Sequence, residues 1–392
     1  MRFPVYFLLA YALSLSAPAA AFVHPGLLHT AADFARVRNK VNAQAEPWLT
    51  GFQKLTSNSH SAITYRARPQ ATVYRGLGSP ENYSILYNDL AAAYALCLRW
   101  KITGDTTFAD AAAAIINGWS STLKTIGGTS DRFLAAGLYG YQFANAVEML
   151  RTYAGWSSGD FAAAKSLLLN VFYPMNHDFL VNHNGARIDH YWSNWDLCNM
   201  CSALSIGVAT DNATIFNEAI DYFYVGAGNG AINHTVWKLY PAEGLGQLQE
   251  AGRDQGHTTL SVGLLVAFAQ MAYNQNVDLF AHDDNRILKG AEYAAKYNLG
   301  YDVPYTTYKN CDVTQTVVSN NSRGDMRPIW ELPYNHYVKI KGLRAEFTAA
   351  YAEKVRSAGG GAEGGGGDYG PNSGGYDQLG YGTLMYSVQS HH

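Results

Sequence analysis

The sequence predicts an all-α chain, a ring or partial ring of helix pairs whose interhelix loops form one concave end. Three observations predict it. Alanine- or leucine-rich stretches of helical length recur along the chain, and the run Leu260 to Ala272 is almost free of charge, as suits a helix buried in a large core. Polar turns carrying a capping residue precede such stretches: Thr103-Gly104-Asp105-Thr106-Thr107-Phe108, Ser157-Ser158-Gly159-Asp160-Phe161 and Thr210-Asp211-Asn212-Ala213-Thr214-Ile215-Phe216 are variants of one pattern, the grammar of repeated helical hairpins. Period-2 alternation is scarce.

In chain order, Met1-Arg2, an apolar region from Val5 to Leu15 and small residues ending Ala19-Ala20-Ala21 read as an export signal, too short to span a membrane. The expected organisation is therefore a signal peptide, 1–21, and a single secreted domain, 22–392. Val23-His24-Pro25-Gly26 is a turn, and helix follows from about Thr30 to Val41. Tyr65 to Asn82, rich in Arg, Pro, Gly and Tyr, is expected to be irregular. Helix resumes at Leu86, carries Leu90, Tyr94, Cys97 and Leu98 on one stripe, and ends at Thr103-Gly104-Asp105. Phe108 to Trp119, Phe133 to Tyr153 and Phe161 to Phe172 are the next helices. Gly and Ser crowd Ser357 to Gly375, a linker by composition. The segment Tyr376 to Tyr386 that follows is too apolar to leave in water, so the Gly-rich tail is expected to pack back on the domain. His391-His392 resembles a tag remnant.

A net charge of -3 and a pI near 6.4 argue against nucleic acid as the main partner, and no later segment is apolar enough to cross a membrane. A polyanion is still permitted, because Lys309 to Arg344 holds six basic residues against three acids, a local +3. A solvated basic face is the default for such a run. Cys97, Cys198, Cys201 and Cys311 permit up to two disulfides in an oxidising compartment. The Cys198-Asn199-Met200-Cys201 spacing lacks a second Cys/His pair, so structural cysteines are expected rather than a metal site. Asn82, Asn212, Asn233 and Asn320 open potential N-glycosylation sequons. A monomer is expected.

Four polar constellations fall at loop and helix-start positions. The densest is Glu250-Ala251-Gly252-Arg253-Asp254-Gln255-Gly256-His257, in which Arg253 and His257 share a face if the helix already includes Arg253. The others are Gly137 to Asn145, with Gln142 and Asn145 one turn apart; His190 to Asp196; and Tyr301, Tyr305 and Tyr308 with Arg327 to Glu331 and Tyr334 to Tyr337. Trp and Tyr beside Asn, Gln and Arg suit a sugar cleft, with flat apolar faces for rings and donors for hydroxyls and carboxylates. The alternative for each is a buried polar group satisfied at a helix end.

Phe22-Val23-His24-Pro25-Gly26, Gly137 to Glu148, Ser193-Asn194-Trp195-Asp196, Glu250 to His257, Val303-Pro304-Tyr305, Arg327 to Tyr337 and Asp368 to Gly375 together resemble the alginate lyase superfamily of polysaccharide lyases. The nearer match is to polysaccharide lyase family 38, which includes glucuronan and polymannuronate lyases. The resemblance implies an (α/α) toroid and β-elimination on an acidic polysaccharide, with no cofactor and no metal. Asn194 matches the amide that neutralises the uronate carboxylate, Arg253 assists it, and His257 matches the catalytic histidine. Tyr308 is favoured as acid and base, Tyr305 stands close behind, and Tyr301 is third. Trp195 occupies the place where the better-known alginate lyase pattern has histidine. Gln142, Asn145, Trp195, Gln255, Arg327, Trp330, Glu331, Asn335 and His336 are the candidate substrate-binding residues. The rival readings are a glycoside hydrolase using a carboxylate pair drawn from Asp89, Asp196, Glu250, Asp254 and Glu331, or a non-catalytic polysaccharide-binding protein.

Overall fold

The structure, a computed structural model, describes residues 21–76, 80–370 and 376–389. Residues 1–20 of the proposed 1–21 signal, the Pro371 to Gly375 part of the tail and the terminal histidines lie outside the described residues.

Capping chemistry starts the helices where the turn pattern predicts. Thr30 and Asp33 form a reciprocal capping box on α1 (Ala31–Asn42), and α2 (Trp48–Ser57) follows. The next helix, α3 (Tyr83–Thr103), stops at Gly104, whose left-handed φ of 81° only glycine adopts without cost. Asp105 then caps α4 (Thr106–Thr122) by accepting from Thr107 N. After α5 (Arg132–Leu150), Ser157 caps α6 (Ser158–Leu167). The run expected to continue to Phe172 instead widens into a π-turn over Leu168–Phe172 and re-forms as α7 (Tyr173–Asn182). Asn212 caps α9 (Ala213–Val225) after α8 (Ser193–Ala209). The remainder are α10 (Ile232–Thr235), α11 (Gln255–Tyr273), α12 (His282–Asn298), α13 (Glu331–Tyr334), α14 (Glu346–Ala358) and α15 (Gly382–Tyr386).

The few strands form two-stranded pairs. Inside the segment expected to be irregular, β1 (Thr72–Arg75) runs parallel to β2 (Thr125–Gly128), with Arg75 opposite Gly128. β3 (Val236–Tyr240) and β4 (Leu245–Leu248) are antiparallel, as are β5 (Tyr308–Lys309) and β6 (Thr314–Gln315).

Helices α3, α5, α8 and α11 pack side by side as an inner layer, and α4, α9 and α12 pack on them from outside. The ring continues from α11 to α13 and α15, and α15 rests on α1 and α2, which return to α3. Inner helices are buried all round because both faces are covered: every residue of α5 from Ala135 to Leu150 is buried. Close approach of α5 and α8 depends on glycine, since a Cβ at Gly137 would meet Cys198 Sγ at 2.4 Å and one at Gly140 would meet Ser202 Oγ at 2.1 Å. The C-terminal tail packs back as expected: Leu384 and Met385 are fully buried, and Gln142 Nε2 donates to Tyr376 O at 2.6 Å.

No disulfide forms, contrary to the expectation for an exported chain; all four cysteines are free. Cys97 lies on α3, Cys198 and Cys201 on α8 and Cys311 in the turn between β5 and β6, with Cys198 Sγ donating to Trp195 O and Cys201 Sγ to Leu264 O. The Asn82 sequon is also occupied structurally, its amide accepting from Tyr74 N and donating to Thr72 O across β1.

Candidate active site

The N-terminal ends of α5, α8 and α11 converge on an open cleft of about 310 Å³, lined from those helices by Leu134, Leu138, Asn194, Gly256, His257 and Leu260. The three helix ends bring the positive ends of their dipoles here, while the N–H groups of Ser193, Asn194 and His257 already meet protein acceptors.

Asn194 enters this cleft from the first turn of α8. Its side-chain Nδ2 donates to Glu250 Oε1 at 2.7 Å, and its backbone N–H donates to the same oxygen at 2.9 Å. Glu250 is fully buried and also accepts from Ser193 Oγ, Ser261 Oγ and, at its other oxygen, Arg253 Nη1. A buried carboxylate is tolerated when donors surround it, and this one fixes both the Asn194 amide and the Arg253 guanidinium. Arg253 lies 5.0 Å from the centroid of the half-buried Trp192 ring, and the Tyr308 ring lies 6.4 Å from the same ring. Arg253 precedes α11 rather than sharing a helical face with His257, because extended Asp254 is the N-cap between them.

Asp254 serves two groups. One oxygen accepts from His257 N at 2.7 Å as the cap, and the other lies 2.7 Å from His257 Nδ1. Burial opposes the Asp254 charge, yet the His257 hydrogen bond and charge hold its carboxyl below the usual carboxylate range. With Nδ1–H directed to Asp254, Nε2 of the partly exposed imidazole is the nitrogen left for chemistry.

The rest of the lining carries two arginines and comes from distant segments. Arg327 donates through Nε to Gly256 O and through Nη1 to Gln378 Oε1, with Asp377 Oδ2 at 3.5 Å. Arg75, at the end of β1, stacks 4.8 Å from the Tyr83 ring and donates to Tyr139 Oη. Asp377 joins them in lining the cleft; burial pushes its carboxyl up against the pull of Arg327 and Arg75.

The sequence profile of the family described as Alginate lyase matches residues 78–302, more than half of the chain. The chain belongs to the alginate lyase family. It is therefore a polysaccharide lyase. Solved structures share its fold, the (α/α) toroid. Alginate lyase A1-III from Sphingomonas species A1 is 12% identical and covers 85% of this chain and 93% of its own, with a TM-score of 0.54. An alginate lyase from Bacteroides ovatus is 12% identical, with 94% and 100% covered and a TM-score of 0.54. A tyrosine-to-phenylalanine variant of alginate lyase A1-III complexed with a tetrasaccharide, 12% identical with 96% and 100% covered, reaches 0.61. Comparison with curated protein sequences gives no match.

The candidate tyrosines differ in their supports. Gln249 accepts from Ser193 N and donates to Tyr308 Oη at 2.7 Å, tying Tyr308 to the residue before Asn194. Burial pushes the Tyr308 phenol up, while the hydrogen bond from Gln249 pulls it back. Tyr305 has no such donor: its hydroxyl donates to Gln315 O, and burial with Tyr240 and Tyr308 nearby pushes it up to about 12. Tyr301 is exposed, its ring packed on Phe347.

Of the nine candidate substrate-binding residues, Arg327 lines the cleft. The structure places the others elsewhere. Gln142 holds the tail, Asn145 bonds Leu28 N and Tyr141 O, and Gln255 bonds Ala251 O, Ser319 O and Asn298. Trp195 packs on Tyr191 and Phe179, and Trp330 is fully buried against Tyr351. Glu331 pairs with Arg356 and accepts from Asn335. His336 stacks 3.8 Å from Phe280, and burial lowers its pKa to about 4. The proposed hydrolytic carboxylates fare similarly: Asp89, Asp196, Glu250 and Glu331 are buried with internal donors, and Asp254 is a cap. Sequence reasoning missed Arg75 and Asp377, which only folding brings to the cleft, whereas Trp192 falls within the His190 to Asp196 constellation already named.

Proposed function

We propose that this lyase is a secreted enzyme of the family 38 type that cleaves a β-1,4-linked polyuronate by syn β-elimination, with glucuronan the first choice and polymannuronate the second. The observation that carries the reading is the pairing of Asn194 and His257 in one cleft, each at a helix N-terminus and each held by a carboxylate. The C5 proton of a uronate is too weakly acidic to remove until the adjacent carboxylate is neutralised. The free proton of the Asn194 amide, the helix ends and the two arginines of the lining supply that neutralisation. The C5 proton passes to Tyr308 in its ionised form, to which Gln249 donates, the electron pair forms the C4–C5 double bond, and the C4–O bond breaks. The same phenol returns the proton to the departing oxygen, which the syn geometry of β-linked glucuronate or mannuronate permits. His257, with Nε2 directed away from Asp254, orders the sugar ring and the phenol oxygen. Trp192 offers a sugar face a stacking surface.

Near-ultraviolet absorbance followed with glucuronan, polymannuronate and polyguluronate tests this. The reading expects a rise, largest on glucuronan, from the conjugated unsaturated product. New reducing ends without any rise in absorbance would overturn it.

A further inference from the structure

A second cluster of chemistry-bearing side chains sits where the turn between β5 and β6 meets the segment leading into α8. His190 Nδ1 lies 2.8 Å from Asp312 Oδ2, and Cys311 Sγ lies 3.3 Å from that same oxygen. The three donor atoms all fall within 4.8 Å of one another. Asp189, adjoining His190 in the chain, sets its carboxylate against the Cys311 thiol. Its buried Oδ1 accepts no hydrogen bond and stands 3.6 Å from Arg187 Nε.

We propose that His190 Nδ1, Cys311 Sγ and an Asp312 carboxylate oxygen form a zinc site, with water as the fourth ligand. The donor chemistry selects the ion. A thiolate with an imidazole suits zinc, whereas calcium and magnesium take all-oxygen sets. The size agrees as well: zinc bonds of about 2.0–2.3 Å in a tetrahedron separate neighbouring ligands by roughly 3.3–3.8 Å, so the cluster needs only small shifts to close on an ion. On binding, the thiol proton and any imidazolium proton go to solvent. His190 and Asp312 are side-chain exposed by 45% and 44%, which leaves an ion a path from solvent. The ligands lie 122 residues apart in sequence, which is why no local spacing announces them.

The position gives the site a task separate from the chemistry. Cys311 and Asp312 follow Tyr308 by three and four residues, and His190 precedes Asn194 by four. Zinc would tie the turn carrying Tyr308 to the segment carrying Trp192 and Asn194, holding the two sides of the catalytic site at a set distance.

The test uses the full chain stripped with a chelator, then titrated with zinc against a chromophoric competitor and, separately, with cobalt(II). One zinc per chain is expected, with a cobalt–thiolate charge-transfer band and a rise in Tm on metal addition. Cys311→Ser and His190→Ala should each weaken zinc binding by more than roughly 100-fold and remove the thiolate band. Absence of the band in wild type, or equal zinc binding in Cys311→Ser, where any binding by the paired histidines at residues 391 and 392 persists, overturns the proposal. Neither readout depends on lyase turnover, so failure here is distinct from failure of the functional reading.

Discussion

Glu250→Gln separates the two tasks of the buried carboxylate. Its Oε1 receives Asn194 N, Asn194 Nδ2, Ser193 Oγ and Ser261 Oγ, and its Oε2 receives Arg253 Nη1 at 2.8 Å. A glutamine can keep its carbonyl toward the four donors around Asn194, but its amide then faces Arg253 donor to donor. The loss is one charge-assisted hydrogen bond, about 1.5–3 kcal/mol, toward the lower end because the Arg253 side chain is 26% exposed and water takes up part of it. For a domain of this size that corresponds to a fall in Tm of about 2–4 °C. If Arg253 assists in the transition state, the same energy appears in kcat/KM as a fall of about 10–100-fold. Glu250→Ala should be far worse, leaving buried hydroxyl and amide donors without an acceptor at about 1–3 kcal/mol each. Thermal unfolding and initial rates of double-bond formation measure both. A Glu250→Gln enzyme with wild-type kcat/KM would refute the claim that this carboxylate sets up the site.

Further expectations follow from other contacts. Asp254→Asn should leave stability within about 0.5 kcal/mol, because asparagine caps as well as aspartate, yet lower kcat by up to roughly 100-fold as His257 loses its anionic partner; equal losses in Tm and rate, restored together, would point to capping alone. His24 is held between Glu148 and Asp211, and the Glu148 hydrogen bond raises its pKa above 6.5 despite partial burial. The stabilisation is therefore complete below pH 6.5 and lost as pH rises through the raised value, so the Tm gap between wild type and His24→Ala should shrink from pH 6 to pH 9; a constant gap would contradict it. Asn335→Ala should lower Tm with KM unchanged, since the Asn335 amide serves Glu331 and Val388 N inside the fold; a raised KM would return it to the cleft.

What the sequence made legible was local. Caps at Thr30, Asp105, Ser157 and Asn212 mark helix starts because side chain and backbone donor lie within three residues. Asn194 and His257, which the structure brings into one cleft, could be named because the family resemblance rests on contiguous segments. The polar residues inside helices were not readable in the same way. Gln142 looks the same in sequence whether it faces a sugar or the tail carbonyl 234 residues away. Arg75 and Asp377 reach the cleft through a β1–β2 pairing and a returning tail, neither of which has a periodic signal. The metal-like cluster has its donors on two segments, as buried or bridging polar groups often do.

The central claim, elimination at Asn194 and His257 with Tyr308 as acid and base, is tested most directly by the rate of near-ultraviolet absorbance increase on the best polyuronate. Wild type would be compared with Asn194→Ala, His257→Ala, Tyr308→Phe and Tyr305→Phe. The account predicts that Tyr305→Phe retains most of the rate while Tyr308→Phe and Asn194→Ala lose it by at least roughly 100-fold. Wild-type turnover in a folded Tyr308→Phe enzyme would contradict it.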